Sequence, residues 1–189
     1  MAINLKKGQR VDIGLEKIGV GLGWDPNKAG SGNDFDLDAS AFMLGENGQV
    51  PAEKFFVYYG NPKSPDSAVE SSGDDRTGGS SEGDDETLMV DLRKIDARIQ
   101  EIVFTVTIYE FQERRQNFGQ VRNSFIRIYD AVSNEEICKY ELDEDFSVET
   151  AVEFGRLYKR GGTWRFEAVG LGHSGGLATF VSKYAKHFA

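Results

Sequence analysis

Cysteine and histidine are nearly absent: among 189 residues there is one of the first, Cys138, and two of the second, His173 and His187. A lone thiol cannot close an intrachain disulfide, which fits a reducing compartment. Three such ligands at no ligand spacing also argue against a zinc site. Cys138 lies in the alternating stretch Glu136-Ile137-Cys138-Lys139-Tyr140-Glu141-Leu142 and reads as a small buried hydrophobe. Long apolar runs are missing too. No stretch approaches the roughly 20 residues of a membrane span, and Met1-Ala2-Ile3-Asn4-Leu5-Lys6-Lys7 lacks the apolar centre of a signal peptide. The expectation is a soluble cytoplasmic protein. Bases are scarce as well: 22 Lys and Arg stand against 31 Asp and Glu, a net charge of −9. That balance disfavours non-specific binding to nucleic acid or anionic lipid unless bound cations offset it. Catalytic signatures are thin, with no nucleophile elbow, phosphate loop or dinucleotide fingerprint.

What is present points to β structure. Glycine is abundant at 22 residues, and there are 13 Phe and 7 Tyr, a composition that favours strands and turns over a helical bundle. Period-2 or continuously apolar runs predict strands over 18–24, 35–44, 54–59, 87–92, 101–109, 124–129, 136–142, 151–157 and 163–170. The run Ile102-Val103-Phe104-Thr105-Val106-Thr107-Ile108-Tyr109 reads as a central strand. Gly161-Gly162 predicts a hairpin turn. Leu177, Phe180, Val181 and Tyr184 share one helical face, predicting a C-terminal helix packed on a sheet. One helical turn is expected at 95–99. Trp24 and Trp164 read as core aromatics, and His173 as a loop residue. With no linker in view, 1–189 is expected to be a single, mainly β domain, a two-sheet sandwich with a short C-terminal helix.

Two dense acidic segments break this pattern. One is Asp34-Phe35-Asp36-Leu37-Asp38, with Asp25 upstream; the other is Gly73-Asp74-Asp75-Arg76-Thr77-Gly78-Gly79-Ser80-Ser81-Glu82-Gly83-Asp84-Asp85-Glu86. Carboxylates this close repel unless a cation or water screens them, and few bases lie nearby. Many hard oxygen ligands among glycines suit Ca²⁺, and two or three such ions would cancel roughly half of the net charge. An EF-hand is excluded, because its sixth and twelfth positions from Asp34 are Ala39 and Gly45. The expectation is calcium held between the strand opening at Asp34–Asp38 and the second loop, at one rim of the sandwich. Glu110 ends the apolar strand and could face such ions. Arg114, Arg115 and Arg122 are of the type that recognises phosphate, though scattered loop arginines are ordinarily solvated.

Several spaced segments resemble the TerD family of tellurite-resistance and general stress proteins of bacteria. They include Val20-Gly21-Leu22-Gly23-Trp24-Asp25, Asp34-Phe35-Asp36-Leu37-Asp38-Ala39-Ser40-Ala41-Phe42 and Ser72-Gly73-Asp74-Asp75-Arg76-Thr77-Gly78 with Gly83-Asp84-Asp85-Glu86. Gln116-Asn117-Phe118-Gly119-Gln120-Val121-Arg122-Asn123 and Gly175-Gly176-Leu177-Ala178 continue the match along nearly the whole chain. The resemblance implies a non-enzymatic, calcium-binding stress protein associated with tellurite resistance, with more than one Ca²⁺. It implies Asp34, Asp36, Asp38, Asp74, Asp84, Asp85 and Glu86 as ligands or near-ligands, with Asp25, Asp75 and Glu110 as additional candidates. Metal binding would order the acidic loops into a surface for partners: other stress or tellurite-resistance proteins, including a membrane-associated complex, with no nucleic acid and no small-molecule substrate. The competing readings are a calcium-dependent membrane-docking module and a metal-dependent phosphoester hydrolase. Where the family usually reads Gly-Asp-Asn, this chain has Gly73-Asp74-Asp75, one more charge.

Overall fold

β-branched and aromatic residues at alternating positions form two stacked antiparallel-rich sheets. The computed structural model describes residues 3–27, 32–73, 75–78, 83–142 and 146–188. In chain order the strands are β1 (Ile3–Asn4), β2 (Arg10–Ile13), β3 (Lys17–Gly23), β4 (Leu37–Leu44), β5 (Phe56–Val57), β6 (Val69–Ser71), β7 (Glu86–Asp91) and β8 (Glu101–Ile108). A one-turn helix α1 (Phe111–Arg114) precedes β9 (Phe125–Asp130), β10 (Glu136–Glu141), β11 (Ala151–Arg160), β12 (Thr163–His173) and the C-terminal helix α2 (Leu177–Tyr184). One sheet runs β1-β10-β9-β3-β7-β6 and the other β2-β12-β11-β8-β4-β5. The expected two-sheet sandwich with a C-terminal helix is therefore the fold found.

Between the sheets, Ile18, Val20 and Leu22 of β3 and Leu88 and Val90 of β7 join Leu37, Ala41 and Met43 of β4 and Ile102, Phe104 and Val106 of β8 in one apolar core. β8 lies between β11 and β4, the central position its apolar run predicts. Trp24, Trp164 and Cys138 are buried, and burial pushes the Cys138 thiol up to about 12, an inert group at neutral pH. Among the described residues no helix is long and apolar enough to cross a membrane.

Several predicted elements differ in extent. The strand expected over 35–44 begins only at Leu37, so Asp36 lies just outside the ladder. The strand expected over 54–59 shrinks to β5, preceded by a 3₁₀ turn at Glu53–Phe55. There the Asn61 Nδ2 donates to the carbonyls of Lys54 and Phe56 and curls the chain back. At 95–99 the chain makes hydrogen-bonded turns rather than a helix, with Asp96 accepting from the Arg98 backbone and guanidinium. The short edge strands β1, β2 and β6 carry too few apolar residues to show a period in the sequence.

Helix α2 closes the outer face of the second sheet. Phe180 is fully buried and Tyr184 is 8% exposed; both pack near the Phe42 ring, at centroid separations of 6.4 and 5.4 Å. The Tyr184 hydroxyl and Lys183 Nζ donate to the same oxygen of buried Glu153, at 2.7 and 2.8 Å. His173 is not in a loop, as expected, but ends β12 and meets Phe180 edge-on at 5.2 Å. Its pKa lies below the usual 6.5 because burial penalises the cation and Lys183 repels it, while Glu153 acts in the opposite sense. The unfolded chain therefore takes up this proton more readily than the fold does, so stability falls as pH drops through 6.5 toward the lowered value. Thermal melts should show a lower Tm at about pH 5.5 than at about pH 7.5. His173→Gln should flatten that difference; an unchanged pH dependence in the variant would refute this origin.

Candidate functional site

The two acidic segments meet at the rim where β4 opens and the β6–β7 hairpin turns. Within 34–38 the side chains divide by strand parity. Phe35 and Leu37 enter the core, while Asp36 and Asp38 project from the opposite side and are 5% and 4% exposed; Asp34 is exposed. The Tyr109 amide donates to the Asp36 carbonyl at 2.8 Å, extending the β4–β8 pairing past the ladder's end. Asp36 and Asp38 share a cavity of about 130 Å³ with Tyr59, Tyr109, Arg76 and Arg114.

The cations in this cavity come from the chain itself. Arg114 places Nη1 3.6 Å from Asp36 Oδ2 and Nη2 3.2 Å from Glu110 Oε2. Its Nη1 also donates to the Asp34 carbonyl at 3.4 Å, and its guanidinium lies over the Tyr109 ring, 5.3 Å from the centroid. Arg76 approaches from the acidic loop. The carboxylates are thus not without bases, as their sequence suggested, and Arg114 is not a solvated loop residue. Glu110, Arg114's partner, sits at positive φ (49°) and caps α1. The i, i+4 spacing of Glu110 and Arg114 was the one signal in the sequence that pointed to this pair.

Glu86 joins the two sheets. It opens β7 on the same side as Leu88 and Val90, is 4% exposed, and accepts from the Ala39 amide of β4 at 2.8 Å and the Asp75 amide at 3.3 Å. Asp75 shapes the loop: its Oδ1 accepts from the Thr77 amide, the Thr77 hydroxyl and the Gly78 amide. Gly78, at φ 66°, lies against the Trp24 ring where a Cβ would collide. Asp85 Oδ2 accepts from the Trp24 amide at 2.8 Å, and Trp24 Nε1 donates to the Phe35 carbonyl at 3.1 Å. Trp24 thereby ties both acidic segments together.

Two candidates point elsewhere. Asp84 forms a bidentate pair with Arg127, at 2.7 and 2.9 Å, and rests on Gly21, where any Cβ would strike its carboxylate. Asp25 accepts from Asn123 Nδ2 at 2.7 Å and lines a separate, larger cavity. Asp74 lies outside the described residues. Among the described residues no three His, Cys, Asp or Glu side chains gather into a group that could hold a metal ion. Asp36 and Asp38 share one cavity, an all-oxygen pair suited to a hard cation.

Residues 1–184 match the model of the TerD domain. This chain belongs to the TerD family. It is 46% identical to general stress protein 16U of Bacillus subtilis (strain 168), over 97% of each chain. It is 45% identical to tellurium resistance protein TerD of an Alcaligenes species, again over 97% of each. The crystal structure of a homologue of telluride resistance protein (TerD) from Streptomyces coelicolor A3(2) superposes with a TM-score of 0.74 at 20% identity, covering 88% of this chain and 95% of that one. At that identity the likeness supports the TerD fold alone. Within this TerD domain, Tyr59, Tyr109, Arg76 and Arg114 belong to the acidic cavity; residue type in the sequence marks only Arg114 among them, and for phosphate rather than for the carboxylates.

Proposed function

We propose that this TerD-family chain is a non-enzymatic, cytoplasmic, calcium-binding stress-response protein associated with tellurium resistance, in which Ca²⁺ draws the acidic loop onto the opening of β4 and so forms a surface for a protein partner. The names of its relatives support the stress and tellurium-resistance part. One observation carries the rest: two carboxylates at most 5% exposed, Asp36 and Asp38, share a cavity whose counter-charges are the guanidinia of Arg76 and Arg114. Buried anions demand compensation. Arg114 already divides itself between Asp36 and Glu110, so Glu110 can retain it when Asp36 turns to a metal.

Asp36 and Asp38 would hold the ion, with Glu86 and Asp75 bringing the loop backbone alongside. Bound calcium supplies a divalent charge that links segments otherwise pushed apart. Calorimetry and thermal melts with CaCl₂ against chelator test this reading. A ligand at 100 times its Kd stabilises the fold by about 2.7 kcal/mol, a clear rise in Tm. Asp36→Asn with Asp38→Asn should abolish the rise. Absence of calcium binding in the unsubstituted protein overturns the proposal, and metal-dependent turnover of a phosphoester overturns its non-enzymatic part. Capture of a partner with Ca²⁺ and not with chelator is the expected outcome for the surface.

A further inference from the structure

Beside the acidic cavity lies a second one of about 720 Å³, lined by Asp25, Phe35, Arg114, Arg115, Gln116, Gln120 and Arg122, among others. Three guanidinia in one concavity contrast with a chain whose net charge is −9. Arg114 is engaged by Asp36 and Glu110. Arg115 and Arg122 are exposed, and among the described residues neither forms an ion pair. Arg115 is held at φ 53° as the cap of α1, its amide donating to the Gln112 carbonyl. The Arg122 carbonyl accepts from the Asp25 amide at 2.9 Å. Their backbones are fixed while their cationic ends are uncommitted.

Gln116 braces one wall of this cavity. It is 7% exposed, and its Nε2 donates to the carbonyls of Asn33 and Asp34 at 2.9 and 3.1 Å, which fixes the amide's orientation. Its Oε1 is then a buried acceptor with no hydrogen-bond partner among the described residues. A buried acceptor left unmet is costly and rare. Gln120 accepts from the Asn117 amide through Oε1, and that leaves its Nε2 hydrogens to donate. Phe35, 8% exposed, and Pro26 supply an apolar wall.

We propose that this cavity binds an organic phosphate: a phosphate ester held by Arg115 and Arg122, whose hydroxyl-bearing body accepts from Gln120 Nε2 and lies along Phe35. Guanidinium groups recognise phosphate through paired, charge-assisted hydrogen bonds. A cavity of this size matches small-molecule sites of roughly 300–1,000 Å³ and exceeds what inorganic phosphate fills. Asp25, whose Oδ2 accepts from Asn123 Nδ2, faces the same space and is of the type that accepts from a ligand hydroxyl. The phosphate is assigned to Arg115 and Arg122 and not to Asp36 or Asp38; Arg114 borders both cavities, so separate arginine and aspartate variants distinguish this proposal from the calcium reading.

The test is titration of the ¹⁵N-labelled protein in chelator with ADP, glucose 6-phosphate and inorganic phosphate, followed by NMR and calorimetry. At least one ester should bind ten-fold or more tightly than inorganic phosphate, shifting the side-chain amides of Gln116 and Gln120 and the Nε–H signals of Arg115 and Arg122. Arg115→Gln with Arg122→Gln, both at exposed positions, should weaken binding at least ten-fold with an unchanged melt. Asp36→Asn with Asp38→Asn, which removes a partner of Arg114, should not weaken it. The proposal is overturned if neither ester binds, if inorganic phosphate binds as tightly as both, or if the arginine variant binds as the parent does.

Discussion

Phe42→Ala will lower the free energy of unfolding by about 3–5 kcal/mol, the range for deleting a fully buried phenylalanine. Phe42 is 0% exposed and stands at the crossing of two sets of contacts. Toward the C-terminus it carries α2 through Tyr184 and Phe180. Toward the rim it stacks on Phe56 at 4.2 Å, Phe56 stacks on Tyr58 at 4.4 Å, and Tyr58 meets Tyr59 edge-on at 5.1 Å. Tyr59 in turn meets Tyr109 at 6.1 Å, and those last two rings wall the cavity of Asp36 and Asp38. Removing the ring leaves a void bounded by rigid strands β4 and β5, which cannot collapse around it. Urea unfolding measures the loss, and hydrogen exchange should show α2 amides losing protection first. Phe42→Leu, which refills much of the volume, should cost markedly less. A loss below about 1 kcal/mol for the alanine variant would show that α2 and the aromatic ladder are anchored elsewhere.

The same strand shows what its sequence could and could not reveal. Parity along 35–42 separated a core face from a carboxylate face, and period-2 patterning located the long strands of both sheets. That reasoning works because side-chain direction in a strand is a local property. The partners of the carboxylates are not local. Arg114 reaches Asp36 only because β8 pairs with β4 and delivers α1 to the same rim. Asp84 and Asp85 are neighbours in the chain yet serve different faces, one on Arg127 and one on Trp24. The acidic run was legible as a charge problem. The Glu110–Arg114 spacing marks one pair, but the reach of Arg114 to Asp36 depends on register, which no spacing in the sequence encodes.

Glu86 offers the sharpest separation between a structural and a metal-holding carboxylate. Its Oε2 accepts from the buried Ala39 amide, so Glu86→Ala strands a donor where water does not enter. The expected cost is about 2–3 kcal/mol, the loss of a hydrogen bond to a charged acceptor together with an unmet buried N–H. The Ala39 amide should exchange with solvent far faster in that variant, a residue-specific reading by NMR. Glu86→Gln keeps an oxygen for Ala39 and should retain most of the stability in chelator. If Glu86 also serves calcium, the glutamine variant should lose part of the metal-induced rise in Tm while its metal-free melt stays near that of the parent. Unchanged Ala39 exchange in the alanine variant would remove Glu86 from the seam between the sheets. With both substitutions measured with and without metal, the hydrogen bond and the negative charge are read separately at one position.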